Sequence, residues 1–188
     1  MGSIGYPKTP GRTTDQELRI YLAENLLPGH RVVAQATRPA LDYEFSRELF
    51  AAVEDDDGNV TCHVLLGGSQ NGEMYIKALH EDMGPCVNPD PPARVLAALT
   101  PTESKYALEF RAAAADALER KKVAKAMVGL NLRFDVPFPY PGEDAERTDF
   151  KVTTMSVFTR PDGRGRYRAP KGWWMRSFHV VSDVEAVT

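Results

Sequence analysis

Lys77, His80, Glu81 and Asp82 crowd the end of one apolar run, and a thiol, Cys86, follows just after Gly84-Pro85. Lys77 and Glu81 are separated by an even number of residues, so on a strand they face the same way, with Asp82 on the other side. An ammonium beside a carboxylate can hold an anionic group or exchange protons with a substrate. The same pair is also an ordinary ion pair, worth little to the fold. With the His80 imidazole added, Lys77, His80 and Glu81 form the candidate catalytic set.

Two thiols bear on the same corner. Pairing residues 60–67 with 73–80 across Gly-Ser-Gln-Asn-Gly, with Gly67 opposite Glu73, puts Val60, Cys62, Val64 and Leu66 on one face with Met74, Ile76, Ala78 and His80. In that register Cys62 lies diagonal to His80, and Cys62, His80 and Cys86 offer ligand types that zinc accepts. The spacing lacks Cys-x-x-Cys and His-x-x-x-His, so the expectation is no metal and no cofactor. Two buried thiols beside a hydrogen-bonded histidine describe the same residues. A nucleophile pair of Cys86 with His80 or His63 would need positive surroundings, whereas Glu81 and Asp82 raise the thiol pKa. Gly84-Pro85 makes the stretch a corner in any case, because glycine permits a positive φ and proline ends a strand ladder.

A second chemistry sits near the C-terminus. Arg147, Lys151, Arg160, Arg164, Arg166, Arg168, Lys171 and Arg176 face only Asp149 and Asp162 over that span, interleaved with Phe158, Tyr167, Trp173 and Trp174. Guanidinium groups pair with phosphate and aromatic rings stack on bases, so Arg164, Arg166, Tyr167, Arg168, Lys171, Trp173 and Trp174 are the candidate nucleic-acid-binding residues. On a strand Arg164, Arg166 and Arg168 would line one face with Tyr167 opposite, and one of the adjacent tryptophans would be buried. The competing description is a basic edge hairpin that resists aggregation, with tryptophans closing a core. Arg120-Lys121-Lys122 with Lys125 could likewise touch phosphate, or simply suit a helix C-terminus.

The elements that must position these groups follow from periodicity. Thr14 and Glu17 have capping-box spacing before Leu18, Tyr21, Leu22 and Leu26, and Pro28-Gly29 ends that helix. Runs at 30–37, 43–54, 60–67 and 73–80 read as an antiparallel meander. A short proline-opened helix at 91–100 precedes a long one from Thr102 whose Tyr106, Phe110, Ala113, Ala114, Ala117, Leu118 and Val123 form a stripe. After Gly129 strand character returns through Leu130–Phe138, Asp149–Arg160, Gly165–Pro170 and Trp173–Val181. The expected class is α+β: an antiparallel meander sheet packed by an N-terminal helix and a long central helix, with residues 1–128 as core domain and 129–188 as a small β-rich module.

Composition narrows the setting. The chain has 188 residues, of which 43% are hydrophobic and 26% charged, as in ordinary globular proteins. The formal net charge of −3 argues against a uniformly basic nucleic-acid binder, although distribution matters more than the sum. No apolar run approaches the ~18 residues of a membrane span, no signal-peptide core opens the chain, and Tyr6 breaks the myristoylation pattern. Two cysteines suit a reducing compartment, so a cytoplasmic, membrane-free protein is expected. Phosphate-loop, Gly-x-Gly-x-x-Gly, Gly-x-Ser-x-Gly and His-Glu-x-x-His motifs are missing, and Asp55-Asp56-Asp57 is a turn without the alternating ligands of a calcium loop.

Several stretches act together: the start Met-Gly-x-x-x-Tyr, Lys77 with Glu81 and Met83-Gly84-Pro85, Pro92 to Thr102, the long basic helix, and a C-terminal Phe-x-Val followed by Tyr167-Arg168 and tryptophan. Together they resemble an uncharacterised domain family of phages, plasmids and other bacterial mobile elements. His80 and Asp82 stand where that pattern has other polar residues, which weighs against a catalytic His80. The resemblance implies no activity, only a setting among accessory or counter-defence genes. The expected function is a non-enzymatic protein contacting nucleic acid or a nucleotide through the basic–aromatic hairpin. The alternatives are a small enzyme or phosphorylated-ligand binder at the Lys77–Glu81 corner, or an inhibitor of a host protein.

Overall fold

The computed structural model describes residues 4–40, 44–83, 90–139 and 147–182. Asn71-Gly72 decides the register of its first sheet. Both residues take a positive φ, 52° and 80°, the geometry of a two-residue hairpin turn whose twist matches its strands. The turn joins β4 (Val60–Gln70) to β5 (Glu73–His80), with Gln70 opposite Glu73 and Gly67 opposite Ile76. The sequence reading put Gly67 opposite Glu73; the true pairing joins odd residues of one strand to even residues of the other. Every side-chain neighbour changes face accordingly.

The remaining strands extend this hairpin. β3 (Arg47–Glu54) pairs with β4, β2 (Arg31–Pro39) pairs with β3, and β1 (Ile4–Pro7) adds an edge against β5, all antiparallel. The resulting order is β1-β5-β4-β3-β2, the expected meander with one strand added. One face buries Leu49, Ala51, Val53, Leu65, Met74 and Ile76 under Leu18 and Leu22 of α1 (Thr14–Glu24). The helix lies close enough that a Cβ on Gly67 would meet the Leu18 Cδ2 methyl at 2.8 Å, so a larger residue there would displace Leu18. The capping box uses Thr13 and Gln16, one residue earlier than Thr14 and Glu17. Glu17 is drawn away because it is buried and accepts the Thr9 N–H at 3.0 Å.

The opposite face of the sheet buries Phe50, Ala52, Cys62, Val64, Leu66 and Leu79. Val95 of α2 (Ala93–Leu96) and Phe110 of α3 (Lys105–Ala126) cover it. The fold is therefore α+β, with the N-terminal and long central helices packed on an antiparallel sheet.

Two compact units divide the chain, Met1–Leu118 and Glu119–Thr188. The boundary falls inside α3, ahead of the 128/129 division read from the sequence, because the last turns of the helix belong with the second core through Ala124. That unit holds a second antiparallel sheet, β10-β6-β7-β8-β9: β6 (Asn131–Phe138), β7 (Arg147–Thr154), β8 (Val157–Thr159), β9 (Tyr167–Arg168) and β10 (Phe178–Val181). Phe134, Phe138, Phe150, Phe158 and Trp173 pack into one aromatic core, with Phe134 4.8 Å from Phe138 and Phe158 5.3 Å from Trp173 between ring centroids. Among the described residues no helix is long and apolar enough to cross a membrane.

Candidate functional site

The corner after β5 does not assemble as the sequence suggested. Glu81 opens a single 3-10 turn (Glu81–Met83) and is 1% exposed. Its carboxylate accepts Nε of Arg111 at 2.8 Å and Nη2 at 2.7 Å, and also the Cys62 N–H at 3.1 Å. Arg111 further donates to the Thr100 carbonyl. Both oxygens of Glu81 are thus engaged from inside the protein, three donors in all, which ties the carboxylate to a structural role. Lys77 is half-buried opposite Leu66, and no ion pair joins it to Glu81 among the described residues.

His80 lies on the other face. It pairs with His63 across the hairpin, ring centroids 4.7 Å apart, and its Nε2 hydrogen-bonds the Thr61 hydroxyl at 3.1 Å. The corrected register therefore separates His80 from Cys62, which is buried in the α3-side core, and the Cys62–His80 ligand pair of the sequence reading cannot form. Burial pushes the Cys62 thiol far up, the Glu81 carboxylate adds to this, and Arg111 opposes it. Cys62 is a core residue, not a nucleophile. Burial, then the neighbouring His80 and His30, lowers His63 to about 4, so its ring is neutral at physiological pH. Gly84, Pro85 and Cys86 lie outside the described residues. Among those residues no group of three His, Cys, Asp or Glu side chains is arranged to hold a metal ion.

The net charge conceals a division between the units. Met1–Leu118 carries ten Lys/Arg against seventeen Asp/Glu, a balance of −7, while Glu119–Thr188 carries thirteen against nine, a balance of +4. The arginines of the first unit are largely spent on its own carboxylates. Arg31 grips Glu54 at 2.8 Å, Arg38 holds Glu48 at 2.8 Å and also Asp90, Arg47 meets Asp15 at 2.7 Å, and Arg111 meets Glu81. In the second unit Arg133 is paired with Asp149 at 2.7 Å. Arg160 donates to the Tyr167 hydroxyl at 2.9 Å.

Arg164, Arg166 and Arg168 are different. All three are exposed; the guanidinium of Arg164, on a side chain that is 83% exposed, approaches Asp162 only loosely at 3.8 Å, while the Arg164 backbone N–H donates to Asp162 Oδ1 at 2.8 Å. Arg166 and Arg168 make no ion pair among the described residues. They do not form the alternating strand face that their spacing suggested. Only Tyr167-Arg168 is strand, and Gly163 and Gly165, with φ of 82° and 67°, turn the chain between Arg160 and Tyr167. The turn is closed by Gly163 N–H to Arg160 O and Arg160 N–H to Arg164 O, both at 2.8 Å. A side chain on Gly165 would be strained there, by the positive φ and by a Cβ 2.9 Å from the Tyr167 hydroxyl oxygen.

Of the aromatic half of the predicted surface, Trp173 is buried and Tyr167 and Trp174 are partly buried. Trp173 is fully buried and donates its indole N–H to Met155 O at 3.0 Å. Tyr167 stands edge-on to Phe150, 5.8 Å away, and its hydroxyl is engaged by Arg160. The Trp173 ring is closed to a base, and the Tyr167 ring is partly buried. Trp173-Trp174-Met175 is a 3-10 turn entered through left-handed Gly172, not a strand, so one tryptophan is buried for a reason other than strand alternation. Trp174 is partly exposed, with the Lys121 ammonium 5.2 Å from its ring centre. Lys171 is exposed and already engaged in an interaction.

Sequence reasoning missed Arg111 and a cavity beside Trp174. The signal for Arg111 was its place on the buried stripe of Ala107, Phe110, Ala114 and Ala117, where a guanidinium needs a buried carboxylate. Comparison of the chain with protein-family models, curated proteins and solved structures finds no match.

Proposed function

We propose that the chain is a non-enzymatic, accessory binding protein of mobile-element type whose second unit contacts the phosphate backbone of nucleic acid. The observation that carries this reading is the exposure of Arg164, Arg166 and Arg168 on a glycine-shaped turn, where they are held close to no strong carboxylate partner. The positive balance of Glu119–Thr188 supports it, since a cationic surface gains affinity from released counterions. With Trp173 buried and the partly buried Tyr167 held by Arg160, binding proceeds chiefly through phosphates and without stacking on Trp173. Contacts of that kind fix position on a strand and carry no sequence information. The mobile-element setting draws its support solely from the residue resemblance, chiefly at Lys77 to Pro85 and with it the start Met-Gly-x-x-x-Tyr, Pro92 to Thr102, the long basic helix and the C-terminal pattern.

Binding of labelled single- and double-stranded DNA and RNA, compared between the wild type and an Arg164→Ala/Arg166→Ala/Arg168→Ala variant, tests the proposal. Binding that weakens with salt and is lost in the variant supports it. Equal binding by the two proteins, or none even at low salt, contradicts it.

A further inference from the structure

The sheet of the second unit has two faces of different chemistry. Phe150, Val152, Phe158 and Tyr167 point into the aromatic core, so their neighbours along each strand point the other way. That outer face carries Lys151 and Thr153 from β7, Val157 and Thr159 from β8, and Arg168 from β9. Lys151 lies opposite Thr159, Val157 lies opposite Arg168, and the Thr153 hydroxyl donates to that of Thr159 at 3.4 Å. In the next row Arg133 and Asp149 neutralise each other at 2.7 Å. Lys151 and Arg168 have no carboxylate partner among the described residues. On the β6–β10 side of the same face Asn131 and Val181 are buried, so the open part is that of β7, β8 and β9.

We infer that this outer face is a track for the sugar–phosphate backbone of one nucleic-acid strand, running from the arginine turn across β8 to Lys151. The track rests on phosphate binding by that turn and extends it, because Arg168 belongs to both: it ends the turn and faces outward on β9. Lys151 lies two strands away and two residues along, about 12 Å at the usual strand spacing and rise. A stacked strand advances about 3.4 Å per nucleotide, so the two cations meet phosphates on the order of three or four nucleotides apart. Beside that diagonal stand the Thr153 and Thr159 hydroxyls, groups that commonly contact phosphate oxygens. The outward positions of β7, β8 and β9 hold no aromatic ring, so the track offers phosphate contacts and no stacking platform. Two unpaired cations with hydroxyls between them complement a run of phosphates, whereas an apolar or cationic partner would leave both charges unmatched.

Fluorescence anisotropy of a labelled oligothymidylate strand over a salt series tests the track, using the full chain with Lys151→Glu, Lys151→Arg or Lys125→Glu. Lys125→Glu makes the same charge change on α3, whose neighbouring Ala124 packs against the opposite, core face of the sheet. Lys151→Glu is expected to weaken binding at least about fivefold near 0.1 M salt, the counterion release of one phosphate, and to take about 0.7 off the slope of log K against log salt. Lys151→Arg should keep the wild-type slope, and Lys125→Glu should leave affinity nearly unchanged. An unaltered thermal transition establishes that each variant is folded, and Lys151→Gln repeats the slope test should the reversed charge disturb the fold. Lys151 variants that match the wild type, while the Arg164→Ala/Arg166→Ala/Arg168→Ala variant loses binding, overturn the track and leave the arginine turn standing. An effect of Lys125→Glu as large as that of Lys151→Glu also overturns it, because total charge and not this face then governs binding. Loss in Lys151→Glu beside an unaffected triple variant refutes the turn and, since Arg168 is shared, the track with it. No binding by the wild type even at low salt overturns both.

Discussion

Arg111→Met asks whether the Glu81 corner is a structural pin or a reactive site. The substitution keeps much of the apolar stem of Arg111 and deletes the guanidinium that fills Glu81 at 2.8 and 2.7 Å. What remains is a carboxylate with 1% exposure whose single surviving donor is the Cys62 N–H at 3.1 Å. Removing one partner of a buried, hydrogen-bonded pair costs about 3–5 kcal/mol, much of it the stranded charge. Replacing both sides, as Glu81→Met/Arg111→Met, removes the stranded charge and should recover most of that loss. Urea unfolding followed by far-ultraviolet circular dichroism measures both. A midpoint shift equivalent to less than about 1 kcal/mol for Arg111→Met, or a double variant no better than the single one, would refute this reading of the corner.

Other expectations follow from the same geometry. The unfolded His63 titrates near 6.5 and the folded ring near 4, so the unfolded chain takes up a proton that the native state refuses as pH falls through that window. The contribution is fully present above about pH 6.5, is lost towards pH 4, and amounts to roughly 2 kcal/mol after allowance for the ring's partial exposure; urea midpoints across that range should fall less steeply in His63→Phe. Trp173→Ala removes the centre of the aromatic core and should cost about 3–5 kcal/mol, read from the thermal transition of the second unit through Trp174 fluorescence. Gly165→Ala combines a positive φ with a Cβ 2.9 Å from the Tyr167 hydroxyl oxygen, so it should destabilise by about 1 kcal/mol or more, whereas Gly58→Ala, in open space, should cost only the φ penalty.

The sheet and its two covering helices were legible because alternation and helical stripes are local signals, as Leu18 and Leu22 of α1 or Val64 and Leu66 of β4 illustrate. The hairpin register was not taken from the strongest local signal present, Asn71-Gly72, and a different loop closure reversed the faces of Cys62 and His80. Strand β1 carries no alternation to detect over Ile4–Pro7, since its place depends on an open edge at β5. The basic turn was visible as composition. Its shape was not, because glycine permits positive φ without dictating it, and the values at Gly163 and Gly165 accompany turn closure by Arg160 with Arg164 and Tyr167. The full burial of Trp173 and the partial burial of Tyr167 likewise depend on Phe150, Phe158 and Met155, which are distant in sequence.

The salt slope of binding is the measurement closest to the central proposal. Log K for a labelled single strand against log salt concentration should be linear for the wild type, and each phosphate neutralised contributes about −0.7 to the slope. If Arg164, Arg166 and Arg168 each meet a phosphate, the Arg164→Ala/Arg166→Ala/Arg168→Ala variant should bind more weakly and lose roughly two units of that slope. A variant whose affinity and slope match the wild type would show that the exposed arginine turn is not where nucleic acid binds.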